Sequence, residues 1–283
     1  MSESSQGSSA SAAKPSRAGR NVPVSIAVGL TLIAVVVASL FIVKVAFLGV
    51  VLLVAMVALW EFANALSTSG IRVPIVPVAL GGLVILAGSY AGGVEAVGVA
   101  TALTVVGTLI WRLAEGADGF VRDVSAGIFT IAYIPVLGSF VPLMLHEDDG
   151  PWRIVAFVGC TVASDTGGFV AGVLAGRHPM APTISPKKSW EGFGGSLILG
   201  MAAGALAVYY GLDGHWWVGI ILGAAVVVMA TLGDLSESLV KRDLGIKDMG
   251  TLLPGHGGIM DRLDSLLVVA PVCWLILHLL VEA

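Results

Sequence analysis

The sequence predicts an all-α, polytopic integral membrane protein of about nine transmembrane helices with a polar site on the cytoplasmic side, and three observations carry that expectation. Hydrophobic residues make up 57% of the 283-residue chain and charged residues only 12%, and the mean hydropathy is +0.95. Several apolar runs reach about 18 residues or more, the length a helix needs to cross hydrocarbon. The few charges are gathered: residues 241–264, KRDLGIKDMGTLLPGHGGIMDRLD, hold eight charged side chains and a histidine. A soluble α/β core would alternate apolar strands with polar helix faces, whereas residues 22–60 run almost unbroken with Lys44 the only basic residue among them.

Taken in order, residues 1–21 are rich in Ser and Ala and carry Lys14, Arg17 and Arg20, which predicts a disordered basic tail. A cleavable signal peptide is not expected, because the apolar segment that follows leads into more membrane. Residues 22–283 then form a single transmembrane domain. At about 20 residues per crossing, the expected spans are 22–41, 45–64, 74–90, 93–111, 124–144, 153–175, 193–211, 217–239 and 265–282, the third and fourth divided at Gly88–Gly93. Cys160 and Cys273 lie in apolar segments without metal-type spacing and read as small packing residues.

Basic residues are retained on the cytoplasmic side of membranes. With the N-terminus cytoplasmic, thirteen of the 15 lysines and arginines fall inside, and only Lys44 and Arg153 fall in outer turns. The acidic turn HEDDG at 146–150 and the short GLDGH at 211–215 suit the outer side. Both large polar loops, 176–192 and 240–264, then face the cytoplasm, which makes the plasma (inner) membrane the expected location. No nucleic-acid partner is expected.

The chemistry concentrates between Asp234 and Asp264. Asp234, Ser238 and Lys241 fall at i, i+4 and i+7 and share a helix face. Asp261 and Asp264, at i and i+3, open the ninth span, where the positive end of the helix dipole favours carboxylates. Between them Pro254-Gly255-His256-Gly257-Gly258 breaks the helix, and its glycines let amides approach an anion. Lys241, Arg242, Lys247 and Arg262 add cationic donors. Oxygen-rich carboxylates suit Mg²⁺ and cations suit phosphate, so the cluster reads as a metal–polyphosphate site. Taken singly, such residues are usually topology anchors, helix caps or loop hydrogen-bonders; what those readings do not predict is their convergence in one short interval.

A second stretch, ASDTGGFVAGVLAGRHPMAPTISPKKSWEG at 163–192, adds an intramembrane acid, Asp165. Such a group costs about 2.5–3.5 kcal/mol on insertion scales, so it is expected to face a polar cavity or a partner on another helix. Lys187 and Lys188, with Ser185 and Ser189, read as phosphate contacts or as headgroup anchors, and Trp190 as an interfacial anchor. Glu95, in an outer turn, receives no role.

The run S-L-V-K-R-x4-K-D-x5-P-x-H-G-G-x2-D-R-x-D, Ser238 to Asp264, resembles the signature of the phosphatidate cytidylyltransferase (CDP-diacylglycerol synthase) family of bacterial type, with every fixed position filled. Residues 163–192 resemble the family's other recurring segment, departing only at Gly168-Phe169, where a small residue followed by Tyr is expected. The resemblance is strong in the C-terminal half, whereas residues 1–120 match only as apolar spans. It implies a catalytic domain over 22–283 that joins CTP to phosphatidate, giving CDP-diacylglycerol and pyrophosphate at the bilayer surface, and it suggests a homodimer.

On that reaction, Asp234 and Asp261 are the expected Mg²⁺ ligands, with Asp264 a ligand or an orienter of one, and room is left for a second, monovalent cation. Lys241, Arg242, Lys247 and Arg262 bind the triphosphate and the developing pyrophosphate, with help from Lys187 and Lys188; Ser185, Ser189 and Ser238 hydrogen-bond phosphate. His256, Gly257, Gly258 and Asp165 complete the expected substrate site. A CTP-dependent lipid kinase, such as a polyprenol kinase, is the nearest alternative, and its product would be CDP instead of pyrophosphate. A secondary transporter fits less well, because its coupling groups usually lie near the midplane and its halves are usually paired, unlike this chain.

Overall fold

Because so little of this chain is polar, its backbone groups must be satisfied internally, and helices do this over nearly the whole length. The computed structural model describes residues 34, 36–250, 252 and 257–281. The tail 1–21, most of the expected span 22–41, and Pro254, Gly255 and His256 lie outside the described residues. The helices are α1 (Lys44–Thr68), α2 (Ile75–Ala114), α3 (Phe120–Ile131), α4 (Phe140–His146), α5 (Gly150–Ala175), α6 (Trp190–Leu206), α7 (Trp216–Asp243) and α8 (Met260–Leu280). A two-stranded antiparallel hairpin, β1 (Pro179–Ala181) and β2 (Ser185–Ser189), sits between α5 and α6.

Seven of these helical stretches are long and apolar enough to cross a membrane, with α3 and α4 counted as one stretch, Phe120–His146. The longest, α2, has 40 residues, roughly 60 Å at 1.5 Å per residue, against a hydrocarbon core of roughly 30 Å. It doubles back at Gly93, whose φ of 64° and ψ of −157° are open to glycine and strained for any L side chain. A Cβ on Gly81 would stand 2.1 Å from Thr104 Cγ2, and one on Gly88 3.7 Å from Ala96 Cβ, so the two arms lie antiparallel and in contact. These arms are the spans expected at 74–90 and 93–111.

The span expected at 124–144 is interrupted. Pro135 has no amide to donate, and residues Ala132–Val136 widen into a π-helical turn before α4 resumes. A similar turn, Ala207–Gly211, ends α6.

Charged side chains sort the ends of the bundle. At one end Lys44 Nζ donates to the Glu147 carbonyl at 2.6 Å, and Arg153 pairs with Asp149 at 2.6 Å. At the other end of α1, roughly 37 Å away, fully buried Asp123 accepts from the Arg72 amide at 3.1 Å and pairs with Arg112 and Arg122, each at 3.0 Å. The turns that charge counting put on a common side are thus spatial neighbours.

The site is carried by α5 to α8. Their packing depends on small residues that let backbones touch. A Cβ on Gly204 of α6 would stand 2.1 Å from the Gly219 carbonyl of α7, one on Gly223 2.2 Å from the Gly200 carbonyl, and one on Gly167 of α5 2.4 Å from the Gly195 carbonyl. Beneath these contacts lies an apolar core that includes Cys160, Leu222, Val226 and Cys273, all buried.

Candidate active site

The α5–α6 connection folds into a hairpin because both of its flanks are tied. Ser189 is the N-cap of α6, its hydroxyl accepting from the Gly192 amide at 3.1 Å. Glu191, in the first turn, accepts from the amides of Arg177 at 3.1 Å and His178 at 3.2 Å and contacts His178 Nδ1 at 2.5 Å. The hairpin is held to α7 at two points: Lys188 forms an ion pair with Asp234, and Arg242 Nε donates to the Ile184 carbonyl at 2.6 Å.

On the other side, α8 begins at Met260 and presents Asp261 back toward the chain before it. Asp261 accepts from the Gly258 amide at 2.7 Å and the Met249 amide at 3.1 Å, and pairs with Lys241 at 2.6 Å. Gly257 adopts φ of 81°, and a Cβ there would stand 2.9 Å from Asp261 Oδ2, so both backbone and space require glycine. Lys241 also pairs with Glu237, one turn earlier on α7, whose side chain is completely buried. Asp264 lies beside Glu237 and accepts from the Ser265 amide at 2.6 Å.

Several of these groups line an open cavity of about 550 Å³. Of the residues singled out in the sequence, Asp165, Ser185, Lys187, Lys188, Ser189, Asp234, Lys241, Asp261, Arg262 and Asp264 line it. Asp165 thus faces a polar cavity. Gly168 and Phe169 line it too, with Asp248, Ser164 and Ser196. Ser238, Arg242, Lys247, Gly257 and Gly258 do not: Arg242 clasps the hairpin, Lys247 is exposed, and the Gly258 amide, expected to face a bound anion, is donated to Asp261. His256 lies outside the described residues.

The arrangement brings acids and lysines from four segments far apart in sequence to one polar recess at the end of an apolar bundle, a setting for handling a phosphorylated substrate at a membrane surface. The chain matches the cytidylyltransferase family over residues 24–280. The chain belongs to that family. It is similar to the phosphatidate cytidylyltransferase of Mycobacterium leprae, 43% identical over 284 residues that cover 93% of this chain and 90% of that protein. It is 39% identical to that of Mycobacterium bovis over 282 residues (95% and 92%), and 32% identical to that of Staphylococcus saprophyticus over 224 residues (77% and 85%). As a cytidylyltransferase family member this chain is a nucleotidyltransferase, a class of activity that generally needs a divalent cation.

The donor set of this family member fits such a cation chemically, since only oxygen ligands face the cavity from Asp234, Asp261 and Asp264. Among the described residues no three acidic, His or Cys side chains converge as a ready-made metal cage. Lys188 and Lys241 instead neutralise Asp234 and Asp261. A site completed by one or two carboxylates together with substrate phosphates matches how Mg²⁺ is commonly held.

Sequence reasoning missed two buried acids beside the site. Glu237 lies one residue before the Ser238–Asp264 run, is fully buried, and drew no reading from the sequence. Glu61, in the otherwise apolar α1, is 2% exposed and accepts from the Met260 amide at 2.9 Å. A lone carboxylate within a span was the available signal.

Proposed function

We propose that this protein catalyses cytidylyl transfer from CTP to phosphatidate, yielding CDP-diacylglycerol and pyrophosphate for phospholipid synthesis, with the cavity as its active site. The observation that carries this reading is the junction of Lys187 and Lys188 on the hairpin with Asp234, Asp261 and Asp264 on α7 and α8 around one recess. In the reaction a phosphate oxygen of the lipid attacks the α-phosphorus of CTP. The bond from that phosphorus to the bridging oxygen toward the β-phosphate breaks, and pyrophosphate leaves with the electron pair. No side-chain nucleophile is needed, because the lipid phosphate is itself ionised.

Both reactants are anions, so the protein's task is to offset repulsion and hold them in line. Lys187, Lys188, Lys241 and Arg262 bind the triphosphate and the charge that develops on pyrophosphate; Ser185 and Ser189 orient phosphate oxygens. Asp234, Asp261 and Asp264 are the residues that would hold Mg²⁺, which supplies charge neutralisation on the triphosphate when bound, with a monovalent cation beside it as a further element of the same reading. Arg242 keeps the hairpin docked on α7. The site faces the cytoplasm of the plasma membrane, a reading supported by the distribution of lysine and arginine. Assembly as a homodimer belongs to the same proposal.

The test is direct: the protein purified in detergent is given labelled CTP, phosphatidate and Mg²⁺. A liponucleotide with stoichiometric pyrophosphate is expected. Release of CDP with a phosphorylated lipid would instead identify a kinase.

A further inference from the structure

Among the described residues, those that line the cavity lie at Ser164 or later in the chain. Helices earlier in the chain nevertheless reach the surroundings of the site, and one of these ties is made by Glu61. Glu61, deep in α1, accepts from the backbone amide of Met260, 199 residues away. That amide belongs to the first residue of α8 and has no partner within its own helix. The carboxylate is wedged between two points of the segment that precedes α8. A Cβ on Gly250 would stand 2.2 Å from Glu61 Oε1, and one on Gly258 2.6 Å from Oε2. Gly258 and Gly250 also approach each other, since a Cβ on the former would stand 2.8 Å from the Gly250 amide nitrogen.

We propose that Glu61 is a positioning residue for nucleotide binding: it pins Gly250, Gly258 and Met260 so that Asp261 and Lys241 are held in register in the cavity. The chain of contacts is short. Glu61 fixes Met260 and packs on Gly250 and Gly258; the amides of Met249 and Gly258, each adjacent to one of these contacts or part of it, hold the Asp261 carboxylate; Asp261 in turn holds Lys241. Burial supports a fixed geometry: Glu61 is 2% exposed and Met260 fully buried, so neither side of the contact relaxes into solvent. Gly250 is glycine because the carboxylate occupies the place of its side chain.

The inference rests on the cavity being the CTP site, and the experiment separates the two. CTP binding to the purified full-length protein is measured by calorimetry without lipid, and the KM for CTP is measured with phosphatidate, for wild type, Glu61→Gln, Glu61→Ala, Gly250→Ala and the double variant Glu61→Ala/Gly250→Ala. Glu61→Ala is expected to raise both the dissociation constant and KM about 10-fold or more, as losses of groups that orient a site commonly do. Gly250→Ala displaces the carboxylate and gives the same defect. Glu61→Gln keeps an acceptor of the same shape and stays within about 3-fold of wild type. In the double variant the added methyl enters space vacated by Glu61, so it is within about 2-fold of Glu61→Ala alone. A merely structural role predicts less folded protein by size exclusion with unchanged constants in the fraction that folds, and that result overturns the proposal, as do defects that multiply in the double variant. Failure of wild type to bind CTP would instead overturn the assignment of the site.

Discussion

Lys188 of the β-hairpin is ion-paired with Asp234 of α7, and this contact closes one wall of the cavity. It joins the two polar segments that the sequence keeps about 45 residues apart, and it places a cation where a nucleotide phosphate would need one beside a carboxylate suited to a metal. Both partners are partly accessible, with side chains 25% and 38% exposed, so either can exchange its partner for substrate without a buried charge being stranded.

Loss of that lysine should therefore be felt in catalysis more than in folding. Lys188→Ala is expected to lower kcat about 100-fold or more, the usual effect of removing a donor aimed at developing charge, with little change in thermal stability because the pair is partly solvated. Asp234→Asn should do the same. Because the two act as a unit, the double variant should lose little beyond the worse single. Steady-state kinetics with CTP and phosphatidate checks all three; wild-type turnover in Asp234→Asn would remove that residue from the site.

Lys241 behaves differently, since it lies between Glu237 and Asp261 with only 17% of its side chain exposed. Lys241→Met leaves the completely buried Glu237 carboxyl without its partner, which costs about 1–3 kcal/mol. A lower unfolding temperature in detergent is expected, followed by recovery of stability in Lys241→Met/Glu237→Gln. Activity should not recover with it, because the cation at the cavity is still missing. Recovery of both would show that Lys241 serves packing alone.

The sequence displayed the fold class and many of the charged residues that line the cavity for physical reasons. Apolar length specifies helices in lipid, and Asp234, Ser238 and Lys241 share a face by periodicity alone. The Asp261 and Asp264 spacing likewise put both acids at the start of α8. What stayed hidden depends on three-dimensional neighbours. The pairing of Lys188 with Asp234 and the docking of Glu61 under Met260 are contacts between distant segments, and no local pattern encodes them. Arg242, expected from composition to contact phosphate, also has a contact that no local pattern encodes, its Nε donating to the Ile184 carbonyl of the hairpin. The π-helical turn at Ala132–Val136 was foreshadowed by Pro135, whose missing amide was visible in the sequence.

Sidedness can be checked by chemistry on intact cells. Asp148 is exposed at the end of the bundle that holds Lys44, and Asp243 is exposed at the opposite end, near the cavity. Cys160 and Cys273 are both buried and free, so they give little background. Asp148→Cys is expected to react with a membrane-impermeant maleimide from outside, and Asp243→Cys only after permeabilisation. The reverse pattern would invert the orientation while leaving the site itself intact.

The last expectation concerns how α7 is held in place. Gly204 of α6 and Gly219 of α7 are in such close contact that a Cβ on either falls within 2.2 Å of the other's carbonyl oxygen. Neither atom can yield by rotating a side chain, because both are backbone. Gly204→Ala must therefore force the helices apart, and α7 carries Asp234 and Lys241 at its far end. A drop in thermal stability and in activity is expected despite the better helix propensity of alanine, which favours it by about 1 kcal/mol. Gly194, on the same helix, has nothing within 4 Å of its would-be Cβ. Gly194→Ala is thus expected to be neutral or slightly stabilising in the same melting assay. If the two substitutions behave alike, close backbone packing is not what fixes α7, and the position of Asp234 must be set by the hairpin and α8 instead.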